Sequence, residues 1–82
     1  MKPRLVIVAG PLRESVFVLD SEEIQVGRDP SNRIPIGDPA LSRRHCLFKR
    51  DEGMYKLQDL GSRNGTYVNG VAVEETSLNH GD

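Results

Sequence analysis

Thr66-Tyr67-Val68-Asn69-Gly70-Val71-Ala72-Val73 reads as a complete strand–turn–strand unit. Two short runs of β-branched and aromatic residues flank Asn-Gly, the dipeptide best suited to the positive φ angles of a two-residue hairpin turn. The same grammar runs outward from there. Asn64-Gly65, Asp51-Glu52-Gly53, Gly37-Asp38-Pro39 and Asp29-Pro30 punctuate further strand-like runs at 5–9, 16–19, 24–26, 33–36, 45–49 and 54–58. No window carries a helical apolar stripe, and Pro3, Pro11, Pro30, Pro35 and Pro39 argue against long helices. The expected fold is all-β, an antiparallel sandwich of short strands forming one domain over 1–82.

The bulk properties fit a small domain of this kind. Eighty-two residues allow one modest core, and 37% hydrophobic residues without tryptophan make that core aliphatic. A lone cysteine, Cys46, excludes an internal disulfide and suits a reducing compartment. Cys46 begins an apolar alternation with Phe48, so it reads as core and not as a reactive thiol. The apolar run after Lys2 stops at Gly10-Pro11, too short for a leader, so it reads as a first strand. No stretch reaches membrane-spanning length, and a cytoplasmic location is expected.

The net charge of −1 gives no general attraction for nucleic acid, and few aromatics or basic stripes support such binding. Charge is nonetheless uneven: from Arg28 to Arg63 eight basic residues face five acidic ones, so an anion site belongs there. Three islands stand out in that stretch: Val26-Gly27-Arg28, Leu41-Ser42-Arg43-Arg44-His45, and Asp59-Leu60-Gly61-Ser62-Arg63-Asn64-Gly65-Thr66. They offer guanidinium groups, hydroxyls and an amide, an inventory matched to a tetrahedral dianion. Taken singly, each has a plainer reading. Arg28 or Arg43-Arg44 could be solvated turn charges, Ser42 a turn cap, and Asn64-Gly65 and Asn69-Gly70 hairpin turns. Only their conjunction favours a site.

Two other chemistries fit less well. Ser42, His45 and Asp59 could supply a nucleophile, base and orienter. Yet no Gly-x-Ser-x-Gly elbow is present, and Ser42 and His45 in an extended segment should point to opposite faces. His45, Cys46 and His80 lack the paired spacing of a zinc site. No catalytic residue, cofactor or metal is expected.

In order and spacing, Gly-Arg, Ser-x-x-His and Asp-Leu-x-Ser-x-Asn-Gly-Thr-x-Val-Asn-Gly resemble the signature of the forkhead-associated (FHA) domain, from Gly27 to Gly70. The resemblance implies an eleven-stranded sandwich whose loops at one end bind phosphothreonine on a partner phosphorylated by a Ser/Thr kinase. It implies that Arg28 and Ser42 contact the phosphate, with Arg43 and Arg63 as further cationic contacts. Asn64 would hydrogen-bond the peptide backbone, while Gly27, His45 and Gly65 support the site. Against that pattern the sequence lacks the last two strands after His80-Gly81-Asp82, and 77–82 reads as a turn leading into another strand.

Overall fold

A computed structural model describes residues 4–6, 14–79 and 82. Among these there is no helix, and nine strands form three sheets. The main sheet has the order β4-β3-β5-β6-β9, built from Glu23–Gly27 (β3), Ile34–Pro35 (β4), Cys46–Asp51 (β5), Met54–Asp59 (β6) and Glu75–Ser77 (β9). Arg4–Val6 (β1) pairs with Val16–Val18 (β2), and Thr66–Val68 (β7) pairs with Val71–Val73 (β8).

Alternation along the strands sets the faces. Ile24 and Val26 are buried while Glu23 and Gln25 are exposed, and Tyr55 and Leu57 are buried on β6. Pairing places Ile24 beside Phe48, Phe48 beside Leu57 and Leu57 beside Thr76, one row across four strands. Ile24, at the β3 end of this row, is its most buried member at 1% exposure. Leu5 and Phe17 from one hairpin and Val68 from the other pack against the row, giving two layers around one core. The Tyr55 phenol crosses the core to the carbonyls of Ser21 (2.7 Å) and Leu19 (3.1 Å), so its buried hydroxyl is partnered.

The all-β reading is correct, with three differences in detail. β4 runs parallel to β3, against the expectation of antiparallel neighbours throughout, because the chain turns back after Arg28 and re-enters with Ile34 beside Val26. β9 was not expected. Glu75-Thr76-Ser77 carries no apolar alternation, and pairing to β6 at Lys56, Leu57 and Gln58 makes it a strand. Ser77 accordingly ends a strand and does not begin a turn. Of the strand expected at 5–9, residues 5 and 6 are observed, within Arg4–Val6, and 7–9 lie outside the described residues, as do His80 and Gly81.

The registers also decide where the site forms. Val26 pairs with Cys46, and Cys46 pairs with Asp59. The end of β3, the start of β5 and the end of β6 therefore share one rim. The first and third islands begin on that row, and the second ends one residue before it, at His45.

Candidate functional site

The first island is fixed by crowding. A Cβ on Gly27 would stand 2.2 Å from the Arg43 carbonyl oxygen and 2.9 Å from Asn32 Nδ2, so only glycine lets the second island lie across the end of β3. Backbone bonds then tie the two together: Arg28 N–H to the Ser42 carbonyl (3.0 Å), Asp29 N–H to that of Arg43 (3.2 Å), and His45 N–H to that of Val26 (2.9 Å). Arg28 is exposed, and its Nε donates to the Leu41 carbonyl at 3.2 Å, which ties the guanidinium to the second island.

The third island is organised by Asp59. Its carboxylate accepts from Gly61 N–H and Ser62 N–H, both at 3.1 Å, from Thr66 Oγ1 at 2.8 Å, and from the Ser62 hydroxyl. These bonds, that of the Ser62 hydroxyl foremost, hold the carboxyl below its ordinary range. Neighbouring Cys46 responds oppositely: burial first, then the Asp59 charge, pushes its thiol up to about 11, so it stays protonated and unreactive.

His45 joins the second and third islands. Its Nδ1 accepts from Ser42 N–H at 3.1 Å, so Nε2 bears the proton and donates to the Gly65 carbonyl at 2.7 Å. At 6% exposure the ring is a buried brace, touching backbone on both sides. Ser42 and His45 thus meet, against the expectation that they point apart, because 41–45 is a bent loop and not an extended strand. They meet through the serine's backbone. Ser42 Oγ accepts instead from Arg63 N–H at 2.8 Å, which leaves its own proton free to donate outward. Asp59 is turned toward Ser62 and Thr66, so the three are not strung as a hydrolytic triad.

Arg28, Ser42, Arg43 and Arg63 line one shallow cavity of about 200 Å³ together with Pro39, Ala40 and Leu41. No carboxylate is in that wall. Among the described residues the ion pairs are Arg33–Asp20, Lys49–Glu75 and Lys56–Asp51, so the cavity arginines are not neutralised by salt bridges. Asn64 stands beside the cavity, its Nδ2 donating to the Ala40 carbonyl at 2.7 Å. Gly27, His45 and Gly65 sit behind it as framework. The sequence reading missed Asn32, which is 5% exposed and whose amide donates to the carbonyls of Asp29 (2.8 Å) and Arg43 (2.7 Å). Nothing in its spacing separates it from an ordinary turn asparagine after Asp29-Pro30.

Residues 24–82, which carry all of this geometry, match the sequence profile of the FHA domain. The chain belongs to the FHA family. As an FHA domain it is 42% identical over 78 residues to the oxoglutarate dehydrogenase inhibitor of Corynebacterium jeikeium, a match covering 95% of this chain and 54% of the relative. The chain spans about half the length of the curated relatives it matches. Its fold is similar to that of an Arabidopsis thaliana FHA domain at TM-score 0.86 and 36% identity, over 93% of this chain and 69% of that one. A structure solved in work on phosphothreonine-dependent FHA domain interactions aligns at TM-score 0.82 and 32% identity, covering 93% of this chain and 77% of that one.

Proposed function

We propose that this FHA domain is a phosphothreonine-dependent docking module for partners modified by a Ser/Thr kinase. The observation that carries this reading is the cavity wall, with three arginines and a hydroxyl with a free proton converging where no carboxylate stands. A phosphate monoester of about −1.5 to −2 charges matches such a wall through short, charge-assisted bonds. Arg28 and Ser42 grip the phosphate, Arg43 and Arg63 add charge, and the free Oδ1 side of Asn64 reads the peptide backbone. The module binds and does not turn over its ligand. Both ring nitrogens of His45 are committed to backbone groups, so no base is poised beside Ser42. No helix among the described residues is long and apolar enough to cross a membrane. We place the module in the cytoplasm, where kinases work and a lone thiol such as Cys46 stays reduced.

Calorimetric titration tests the reading with matched peptides carrying phosphothreonine, phosphoserine or unmodified threonine. Phosphothreonine should bind, the unmodified peptide should not, and phosphoserine should bind more weakly, since one methyl in a shaped pocket is worth about 1–3 kcal/mol. Arg28→Ala should lose a charge-assisted contact and roughly ten- to a hundred-fold in affinity while staying folded. Arg28→Lys keeps the charge but loses the planar fork, and should be impaired too. Undiminished binding by folded Arg28→Ala would put the phosphate elsewhere.

A further inference from the structure

Asn32 lies outside the three islands, yet it is among the most buried polar residues described. Its Nδ2 donates both of its protons, one to Asp29 and one to Arg43, and this fixes which way the amide faces. Its Oδ1 is consequently buried with no protein partner. That acceptor offsets part of what the two donated bonds contribute to stability. The two carbonyls that Asn32 serves do not depend on it either. Asp29 O also accepts from Asn32 N–H at 3.1 Å, and Arg43 O also accepts from Asp29 N–H at 3.2 Å. What the amide uniquely supplies is a second tie across the gap above Gly27, between the turn at Asp29 and the loop bearing Ser42 and Arg43.

We propose that Asn32 is a positioning residue for the anion site, setting the height and tilt of the 41–45 loop so that the Ser42 hydroxyl faces the cavity. The loop passes this position on through bonds already described. Ser42 Oγ takes the Arg63 N–H, the Ser42 carbonyl takes the Arg28 N–H, and the Leu41 carbonyl takes Arg28 Nε. One buried amide therefore governs the geometry of two gripping side chains that it never touches. This inference rests on the phosphothreonine reading for its ligand, but not for its geometry.

The decisive variant is Asn32→Leu, which keeps the branched heavy-atom skeleton, removes both donors and also removes the unpaired acceptor. It should melt close to wild type, yet bind a phosphothreonine peptide about ten-fold more weakly, the loss of roughly one bond's alignment. In a Ser42→Ala background the same change should cost clearly less, about three-fold, because one of the two groups it positions is gone and Arg28 remains. Amide exchange of ligand-free protein should quicken at Asp29, Ser42 and Arg63, whose N–H groups bond to the loop or within it, and stay unchanged along β5 and β6. Asn32→Ala serves as a second variant should leucine overfill the site. Full-affinity binding by either folded variant, fully multiplicative losses with Ser42→Ala, or unchanged exchange in the loop would each overturn the proposal. Should wild type bind no phosphothreonine peptide, the docking function falls, and the exchange data alone decide whether Asn32 holds the loop.

Discussion

At 69–70, Asn-Gly closes the β7–β8 hairpin with both residues left-handed, φ +50° and +81°, and Val68 directly facing Val71 across the turn. At 64–65, the same dipeptide has only its glycine left-handed, at +85°, and its asparagine reaches 24 residues back to the Ala40 carbonyl. A Cβ on Gly70 would meet nothing within 4 Å, whereas one on Gly65 would press on the Tyr67 ring at 3.3 Å. The Gly65 carbonyl is also held by His45. One copy reverses the chain, and the other clasps two loops together. The difference lies in what the groups meet in space, which the dipeptide alone does not specify.

The largest effect that would break this contrast comes from the glycines. Gly70→Ala should cost about 1–2 kcal/mol, the ordinary strain of an L-residue in the left-handed region, with phosphopeptide affinity intact. Gly65→Ala should cost more, because Tyr67 must move as well, and it should weaken binding. Urea denaturation with calorimetry measures both, and equal costs with equal affinities would erase the distinction.

The asparagines sharpen it. Asn64→Ala frees the Ala40 carbonyl at the cavity wall and should weaken phosphopeptide binding about ten-fold, equivalent to a bond of roughly 1.4 kcal/mol. Asn69→Ala should leave affinity unchanged and cost less than Gly70→Ala. Alanine tolerates the left-handed φ of 50° less well than asparagine, while the lost amide bond reaches only Asp82 at the exposed surface. A binding defect in Asn69→Ala would mean the hairpin turn belongs to the site.

Acid gives the smallest contrast. Asp59 and Asp82 each anchor one of these turns, and both carboxyls are held below their ordinary value of 3.8, Asp59 mainly by the Ser62 hydroxyl and Asp82 mainly by Asn79 N–H. A carboxyl depressed in the folded state stabilises fully above its ordinary value, and that contribution is lost as pH falls through the lower folded one. Melting followed from about pH 5 downward should therefore fall less in Asp59→Asn than in wild type. Asp82→Asn should differ less, because Asp82 is wholly exposed and water screens its bonds. A larger change at Asp82 would reverse the assignment of which turn is held more firmly.

Much of this was legible in advance, for physical reasons that differ by residue. Ile24, Val26, Tyr55 and Leu57 alternate with polar neighbours, and alternation is how a chain announces a strand with one wet face. β9 carries no such mark, since an edge strand of Glu, Thr and Ser is defined by what it pairs with. The direction of β4 was likewise hidden, being decided by the turn after Arg28 and not by Ile34-Pro35 themselves. At the rim, Arg28, Ser42, Arg43 and Arg63 stood out as anion-site candidates because their chemistry is written in their side chains, and the fold brings the four to one cavity. Asn32 could not, because burial turns an ordinary turn residue into a tie, and burial is a property of the fold.

The aromatic inventory has a practical consequence. With no tryptophan and two tyrosines in the chain, emission excited above the phenylalanine band comes from the phenols, and the two occupy different surroundings. Tyr55 is sealed at 7% exposure with its hydroxyl on the carbonyls of Leu19 and Ser21, while Tyr67 stands 61% exposed with its ring over Gly65. Quenching by a small aqueous solute singles out Tyr67, beside the clasp, and leaves Tyr55 as the reporter of the core. The unlabelled protein thus carries two optical channels, one for the rim and one for the interior.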